Sequence, residues 1–487
     1  MDFANPLIRP KMNLLPSRDD EFGELKDGTE FAFQRDTRRT PPMVQRDDGF
    51  IIWTDEVVSM SNGRLVRPFN FFHGPNAVIL SEGWEVTKRG ITLVTSTTPI
   101  SFDINDVNSE ASELLRKKSV VDNNGNESSS SNRYREMAVG RLVIQVPVIL
   151  FVDETSGTTT KRWNEHIVLY MSNGALPRKD MDRSANVKLL STSADVGAEA
   201  VLSVAVQEFI RLQECPFTTF DVVLDKEVLV RPILALIVAD NPMAAILCGS
   251  IGMRGLFACR ECRAGGTKKE MKKASGFKKL LKIGTKKTAK IVIASLKKQL
   301  STSIKTGVLA RLTEQQRSSG IKDALANQYC LEHISLFKAT PRADQDTVLS
   351  GRMTRIQAGK WHTSLLLLQD KIGFDVCANV PVDILHTYLL GLVKYVWHQT
   401  LSKATPAQKV EISARLSAAP LAGVANSGGL RGTWLVSNAG GLAGKDLKKI
   451  AQIAANAFYP MMKSETMDWG RLVCLECTWS PGAAAIC

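Results

Sequence analysis

Two aspartates stand where a chain can put charge to chemical use. The run from Val146 to Asp153 is apolar and ends on a carboxylate, with the turn residues Ser156 and Gly157 behind it. The run from Ile233 to Asp240 repeats the pattern and is stopped at once by Asn241-Pro242. Short runs of β-branched and aliphatic residues bounded by turn signals read as buried strands, so each acid is expected where the backbone leaves the core. If the two strands are neighbours in one sheet, Asp153 and Asp240 converge, and hard cations such as Mg2+ or Mn2+ take carboxylate oxygens as ligands. A third acid, Asp383, lies in the segment PVDILH with His386 three residues on, hence on the same helix face. There it serves either as a cap and dipole partner of the helix or as a third metal ligand. Trp163, Asn164 and His166 are expected to shape a hairpin turn and the core.

A second chemistry is suggested by Cys259-Arg-Glu-Cys262, which has knuckle spacing for Zn2+ but supplies two of the four ligands a tetrahedral site needs. Cys215, Cys248, Cys330 and His333 are candidates to complete it, and a pair of buried or redox-active thiols is the competing reading. Cys474 and Cys477 repeat the spacing in a tail without periodicity. Nine cysteines, odd in number and irregularly placed, fit free thiols in a reducing compartment better than a disulfide framework.

The net charge of +13 is concentrated in one place, since thirteen lysines and a single acid, Glu270, fall between Thr267 and Lys305. Lys268, Lys269, Lys272, Lys273, Lys278, Lys279, Lys282, Lys286, Lys287 and Lys290 are the candidates for sequence-independent contact with DNA phosphates. The alternatives are a solvated helix face, a nuclear import signal or, because apolar residues separate the lysine pairs, a helix lying on a membrane surface. The last requires no span, and the sequence predicts neither a membrane-crossing segment nor a secretory signal.

These residues must be positioned by a chain of 487 residues, 44% of them hydrophobic, which is ordinary for a soluble protein of two to four domains. Residues 1–135 read as a mixed α+β region, with β-like runs at 50–53, 77–80 and 91–95, and its polar end NNGNESSSSN at 123–132 reads as a linker. From there the pattern predicts strands at 141–153, 166–171 and 187–190. A helix over 195–213 follows, with Ala198, Val201, Leu202, Ala205, Val206, Phe209 and Leu212 on one face, then β-runs at 220–224 and 227–230 and the strand ending in Asp240. Three strands, a helix and a strand returning to the first is the order of the ribonuclease-H-like fold. The expected architecture is therefore an α/β mixed-sheet core over 136–240, interrupted by a mainly helical insertion over 241–378 that carries the CxxC and lysine segments. A helical end of the core over 379–460, with Pro381 in the first turn of its leading helix, and an irregular tail over 461–487 complete the chain.

Four blocks give the sequence a likeness. VDETSGTTTKRWNEHIVLYMSNGALPR, EVLVRPILALIVADNPMAA with GLFACRECRAGG, PVDILHTYLLGLVKYVW, and GKDLKKIAQIA resemble, in order, the blocks of transposase-like proteins of the CACTA (En/Spm) superfamily in its Plavaka-like fungal form. The resemblance implies a ribonuclease-H-like core with an acidic cluster that cuts and rejoins DNA with divalent metal in the nucleus, working on element ends and target DNA, with a homo-oligomer as a further expectation. It implies Asp153 as first acid, Asp240 as second and Asp383 as third, at a position where the family usually has Glu. Relatives usually continue beyond the fourth block, so a truncated or degenerate element copy, or a DNA-binding derivative that no longer cuts, is the alternative implied.

Overall fold

Fourteen residues from Val143 to Ser156 form the strand β1 on which the central sheet is built, in a computed structural model that describes residues 2–18, 29–89, 92–116, 118–122, 125–129, 131–156, 165–280, 282–306, 308–419 and 429–458. The other strands are β2 (Glu165–Asn173), β3 (Val187–Ser193), β4 (Phe217–Asp221) and β5 (Lys226–Val238), in the spatial order β3-β2-β1-β5-β4. β2 and β3 run antiparallel to their neighbours, β5 lies parallel to β1, and β4 is the antiparallel hairpin partner of β5. The parallel pair is joined through helix α1 (Ala198–Glu214). Five of the seven residues of its predicted stripe, Ala198, Val201, Leu202, Val206 and Phe209, are buried in one core with Val148, Leu150, Val152, Leu169, Leu234 and Ile237 of the sheet, Ala205 packs against it partly buried, and Leu212 is half-buried outside it.

Sequence reading split β5 into separate runs at Pro232, yet it is one strand of thirteen residues. A proline cannot donate to a ladder, and it is tolerated where a neighbouring strand has ended. β4 pairs with β5 only as far as Val230, and β1 meets β2 only from Val148, one residue after Pro147.

The N-terminal region contains a seven-stranded sheet in which Leu65–His73, Ile79–Arg89 and Thr92–Asp103 are the long central strands. The polar stretch 123–132 contributes its last strand, Glu127–Ser129. Asn132 is buried, caps the following helix at Tyr134, and donates to the Thr54 carbonyl at 2.8 Å. The described part of this stretch is thus tied into the fold at Glu127–Ser129 and at Asn132. Arg231, fully buried, donates to the Thr40 carbonyl, to Gln145 Oε1 and to the Tyr134 hydroxyl, joining N-terminal segment and sheet. Met1–Pro381 accordingly forms one compact unit and Val382–Cys487 a second.

Beyond β5 the first unit is mainly helical. Helix α2 (Asn241–Leu247) follows Asp240 directly, and the longer helices α3 (Ala289–Thr306) and α4 (Ala324–Ala339) bury Val292, Leu296, Leu300, Ala326, Cys330 and Ile334 in the same core as the sheet. The apolar stripe of α3 is therefore spent on the protein interior and not on a membrane surface. No helix among the described residues is long and apolar enough to cross a membrane.

The second unit has a core of its own around Val393, Trp397, Ile412, Leu416, Leu447 and Ile450. Its first helix begins at Ile384, after Pro381, and winds as a π-helix over Leu385–Val393 before continuing as Lys394–Ser402. Helix α5 (Gly432–Ser437) and helix α6 (Gly444–Phe458) complete the elements used below.

Candidate functional site

Asp153 lies within β1, which runs three residues further than the sequence reading placed its end, and Asp240 follows β5 directly; a β-bulge sets their relative register. β1 and β5 pair as Val148 with Leu234 and then as Ile149 with Leu236, leaving Ala235 as an extra residue on β5. The ladder continues to Phe151 with Val238, so Asp153 and Asp240 each stand two residues past the same rung. Without the extra residue, Ala239 would oppose Asp153, and the two acids would project to opposite faces, because side chains alternate along a strand. With it, Val152 and Ala239 are both buried in the core beneath α1, and alternation directs Asp153, and Asp240 just beyond the end of β5, away from that core. Both side chains are half-buried.

The bulge is held by a residue far away in sequence. Arg39, buried, donates from Nη1 to the Leu234 carbonyl at 3.1 Å and from Nη2 to the Ala235 carbonyl at 3.3 Å. A bulge leaves backbone groups outside the ladder, and in a buried site those groups need partners. The Arg39 fork provides them. Spacing in the sequence gives no hint of this, since Arg39 lies in an arginine-rich loop that carries no motif.

Each acid keeps one oxygen busy locally. Asp153 Oδ1 accepts from the Glu154 amide at 2.9 Å, and Asp240 Oδ1 accepts from the Met243 amide at 2.8 Å, which makes Asp240 the N-cap of α2. Their Oδ2 atoms accept no hydrogen bond from a described residue. Beside Asp240, Arg260 donates to Asn241 Oδ1 at 3.4 Å and to the Val380 and Pro381 carbonyls, closing the CRECR turn over the start of α2.

In the second unit, Asp383 is engaged by its own helix. Its Oδ1 accepts from the Leu385 amide at 2.8 Å and its Oδ2 from the His386 amide at 3.3 Å, while His386 Nδ1 closes on the same oxygen. Both carboxylate oxygens thus do the capping work that is one of the two readings of this residue. Among the described residues no group of three or more His, Cys, Asp or Glu side chains is gathered to hold a metal.

No protein-family model matches the chain, and no curated protein matches it. The site must therefore be read from its own chemistry.

Cys259 and Cys262 are brought together, with Sγ atoms 3.7 Å apart, as separate thiols and not a disulfide, which needs about 2.05 Å. Burial pushes the Cys259 thiol up. The other candidates for completing a zinc set are spread through the first unit: Cys215 is exposed at the end of α1, Cys248 ends α2 with its thiol pushed up to about 12 by burial, and Cys330 and His333 are buried on α4. Cys474 and Cys477 lie outside the described residues, as do Trp163 and Asn164.

The lysine segment is not one amphipathic helix. It is broken into Lys268–Met271, Ala274–Leu280 and α3, with a turn at 282–288. Lys268, Lys269, Lys272, Lys273, Lys278, Lys279, Lys282, Lys286 and Lys290 are exposed, and Lys290 meets Asp370 at 3.5 Å. Lys287 departs from the expectation. It is buried, donates to the Cys259 carbonyl at 2.6 Å and the Phe257 carbonyl at 3.3 Å, and desolvation holds its ammonium below the usual lysine range. It buttresses the CxxC turn and is not available to a phosphate backbone.

Proposed function

We propose that the chain is a transposase-like protein whose first unit cuts and transfers DNA strands with divalent metal, and the observation that carries this is the matching register of Asp153 and Asp240, both directed away from the core beneath α1. The strand order β3-β2-β1-β5, with β1 and β5 parallel and α1 between them, supports a ribonuclease-H-like core with β4 interposed as a hairpin. Two carboxylates whose Oδ2 atoms accept no hydrogen bond from a described residue fit Mg2+ or Mn2+, hard cations that keep several waters beside one or two carboxylates. Bound there, such an ion would lower the pKa of a water or 3′-hydroxyl and polarise a phosphoryl oxygen. The chain's own part is positional. Arg39 fixes the register of the two acids, Asp240 is locked by capping α2, and the exposed lysines offer a path for the phosphate backbone, worth up to about 0.9 of salt-dependence slope per contact. The same lysines support a nuclear location, and a homo-oligomer acting on two element ends belongs to the same proposal.

The test is metal-dependent nicking of a supercoiled DNA carrying the element's terminal repeats. Full activity in Asp153→Ala would sink the assignment.

A second reading is favoured by one observation, that Asp383 spends both oxygens on its own helix and no third acid joins the pair among the described residues. On that reading the protein binds DNA without cutting it. Salt-sensitive DNA binding with no nicking in either Mg2+ or Mn2+ would select it.

A further inference from the structure

The second unit holds a cavity of about 350 Å3 that plays no part in the chemistry above. Arg431, Trp434, Lys445, Lys448, Lys449 and Gln452 line it, with Asp446 as the acid among its walls. Three of these cations come from α6, where Lys445, Lys448, Lys449 and Gln452 follow i, i+3, i+4, i+7 spacing and so share one helix face. The opposite face carries Leu447, Ile450, Ala451 and Ala454, all fully buried. Helix stability does not call for such a stripe. Cations in the first turns oppose the helix dipole, and Lys445 and Lys449 repel one another at i, i+4. Among the described residues no carboxylate forms an ion pair with Arg431, Lys445 or Lys449.

The aromatic wall makes this more than a patch of charge. Trp434 is half-buried, held by α5 against the unit's core, and the Arg431 guanidinium lies 4.9 Å from its ring centroid. A flat ring flanked by a guanidinium, opposite a row of ammonium groups, matches an unstacked base with its phosphates. Base stacking on an aromatic ring is tolerant of sequence, and lysines track the backbone. A duplex keeps its bases stacked and offers the ring nothing.

We propose that this cavity binds single-stranded nucleic acid, with a base on Trp434 beside Arg431 and the adjoining phosphates on Lys445 and Lys449. The proposal deepens the reading of the chain as a DNA-handling protein, yet it stands on residues that take no part in the Asp153 and Asp240 pair.

The experiment titrates the full chain with a twelve-nucleotide oligothymidylate and follows tryptophan fluorescence, with Trp434→Phe isolating the signal of that ring. The expected result is a quench in the wild-type protein that Trp434→Phe removes. The same quench should need roughly tenfold more oligonucleotide in Arg431→Ala and in Lys445→Ala/Lys449→Ala, the size that loss of one stacking or paired-phosphate contact gives. The double lysine variant should also flatten the salt dependence by about 1.4 in slope, at roughly 0.7 per single-strand phosphate. Circular dichroism and melting curves verify folding, and the Lys445→Ala/Lys449→Ala variant, at an exposed and a half-buried position, keeps the test open if the tryptophan variant is unstable. A quench that persists in Trp434→Phe, an unchanged affinity in the lysine variant, or equal quenching by a twelve-base-pair duplex overturns the proposal. Asp153→Asn should bind the oligonucleotide as the wild type does. Loss of the quench with nicking intact would therefore remove this site alone, and loss of nicking with the quench intact would remove the metal reading alone.

Discussion

Asp153 on β1 and Asp240, the cap residue just beyond β5, each stand two residues past the common rung of Phe151 and Val238, and the extra residue at Ala235 sets that matching register. The bulge carbonyls rest on Arg39, at 3.1 and 3.3 Å. Arg39→Met fills similar space but leaves two buried carbonyls without donors, and it should cost about 2–4 kcal/mol in urea unfolding. Metal-dependent nicking should fall further than the folded fraction does, because the register of the acids loosens. Arg39→Lys should recover part of the stability, since one ammonium cannot reproduce the fork. A stable Arg39→Met protein with full activity would show that the bulge holds itself.

Asp240 has two roles that substitution can separate. Its Oδ1 caps α2 through the Met243 amide at 2.8 Å, and its charge is the part a metal would use. Asparagine caps nearly as well as aspartate, whereas Asp240→Ala loses the cap and should lower stability by about 1 kcal/mol. Asp240→Asn should therefore melt close to the wild type while losing nicking. If Asp240→Asn cuts DNA normally, the residue is a cap and nothing more.

The sequence made the central strands and α1 legible because their pattern is local: a continuous apolar run for β1, a 3.6-residue stripe for α1. It also placed Asp240 just past the end of its strand, whereas the strand it ended at Asp153 runs on to Ser156, paired with β2 through residues whose polarity hid them. What it could not show was the matching register of the two acids, because that depends on an extra residue at Ala235 and on Arg39, which contacts it across about two hundred positions of chain. The polar 123–132 stretch looked like a linker for the same reason. Its last residue, Asn132, is buried by partners at Thr54 and Glu56 that no local window contains. Lys287 was indistinguishable from its neighbours in sequence, and only the fold of the CxxC turn beneath it turns one lysine of the run inward.

His333 gives the first unit a pH dependence. It is fully buried on α4, with Nδ1 at 3.1 Å from Ser303 Oγ and Nε2 without a hydrogen-bond partner among the described residues, and desolvation holds its pKa below the usual histidine value, with Arg352 adding to the shift and Glu332 opposing it. The folded state therefore resists a proton that the unfolded chain accepts. Stability from this group is complete above the unfolded pKa of about 6.5 and is lost as pH falls from there towards the folded value, at no more than about 1.4 kcal/mol per pH unit. Urea midpoints measured from pH 7.5 to 5.5 should drop in the wild type and drop less in His333→Asn. Parallel curves would place the acid sensitivity elsewhere.

The lysine segment separates exposed from buried members of one run, and the two kinds should fail differently. Lys272, Lys273, Lys278 and Lys279 are exposed, so replacing all four with alanine should leave the melting temperature nearly unchanged. It should weaken duplex binding equally for unrelated sequences and flatten the dependence of log affinity on log salt by up to about 0.9 for each phosphate contact removed. Lys287→Ala should do the reverse. The ammonium that holds the Cys259 and Phe257 carbonyls would be gone from a buried turn, at a cost of about 1–3 kcal/mol, while the salt slope stays as in the wild type. Binding isotherms at four salt concentrations, paired with urea unfolding, measure both. A quadruple variant that binds DNA with an unaltered slope would leave the run as a solvated face and move the DNA path elsewhere on the protein.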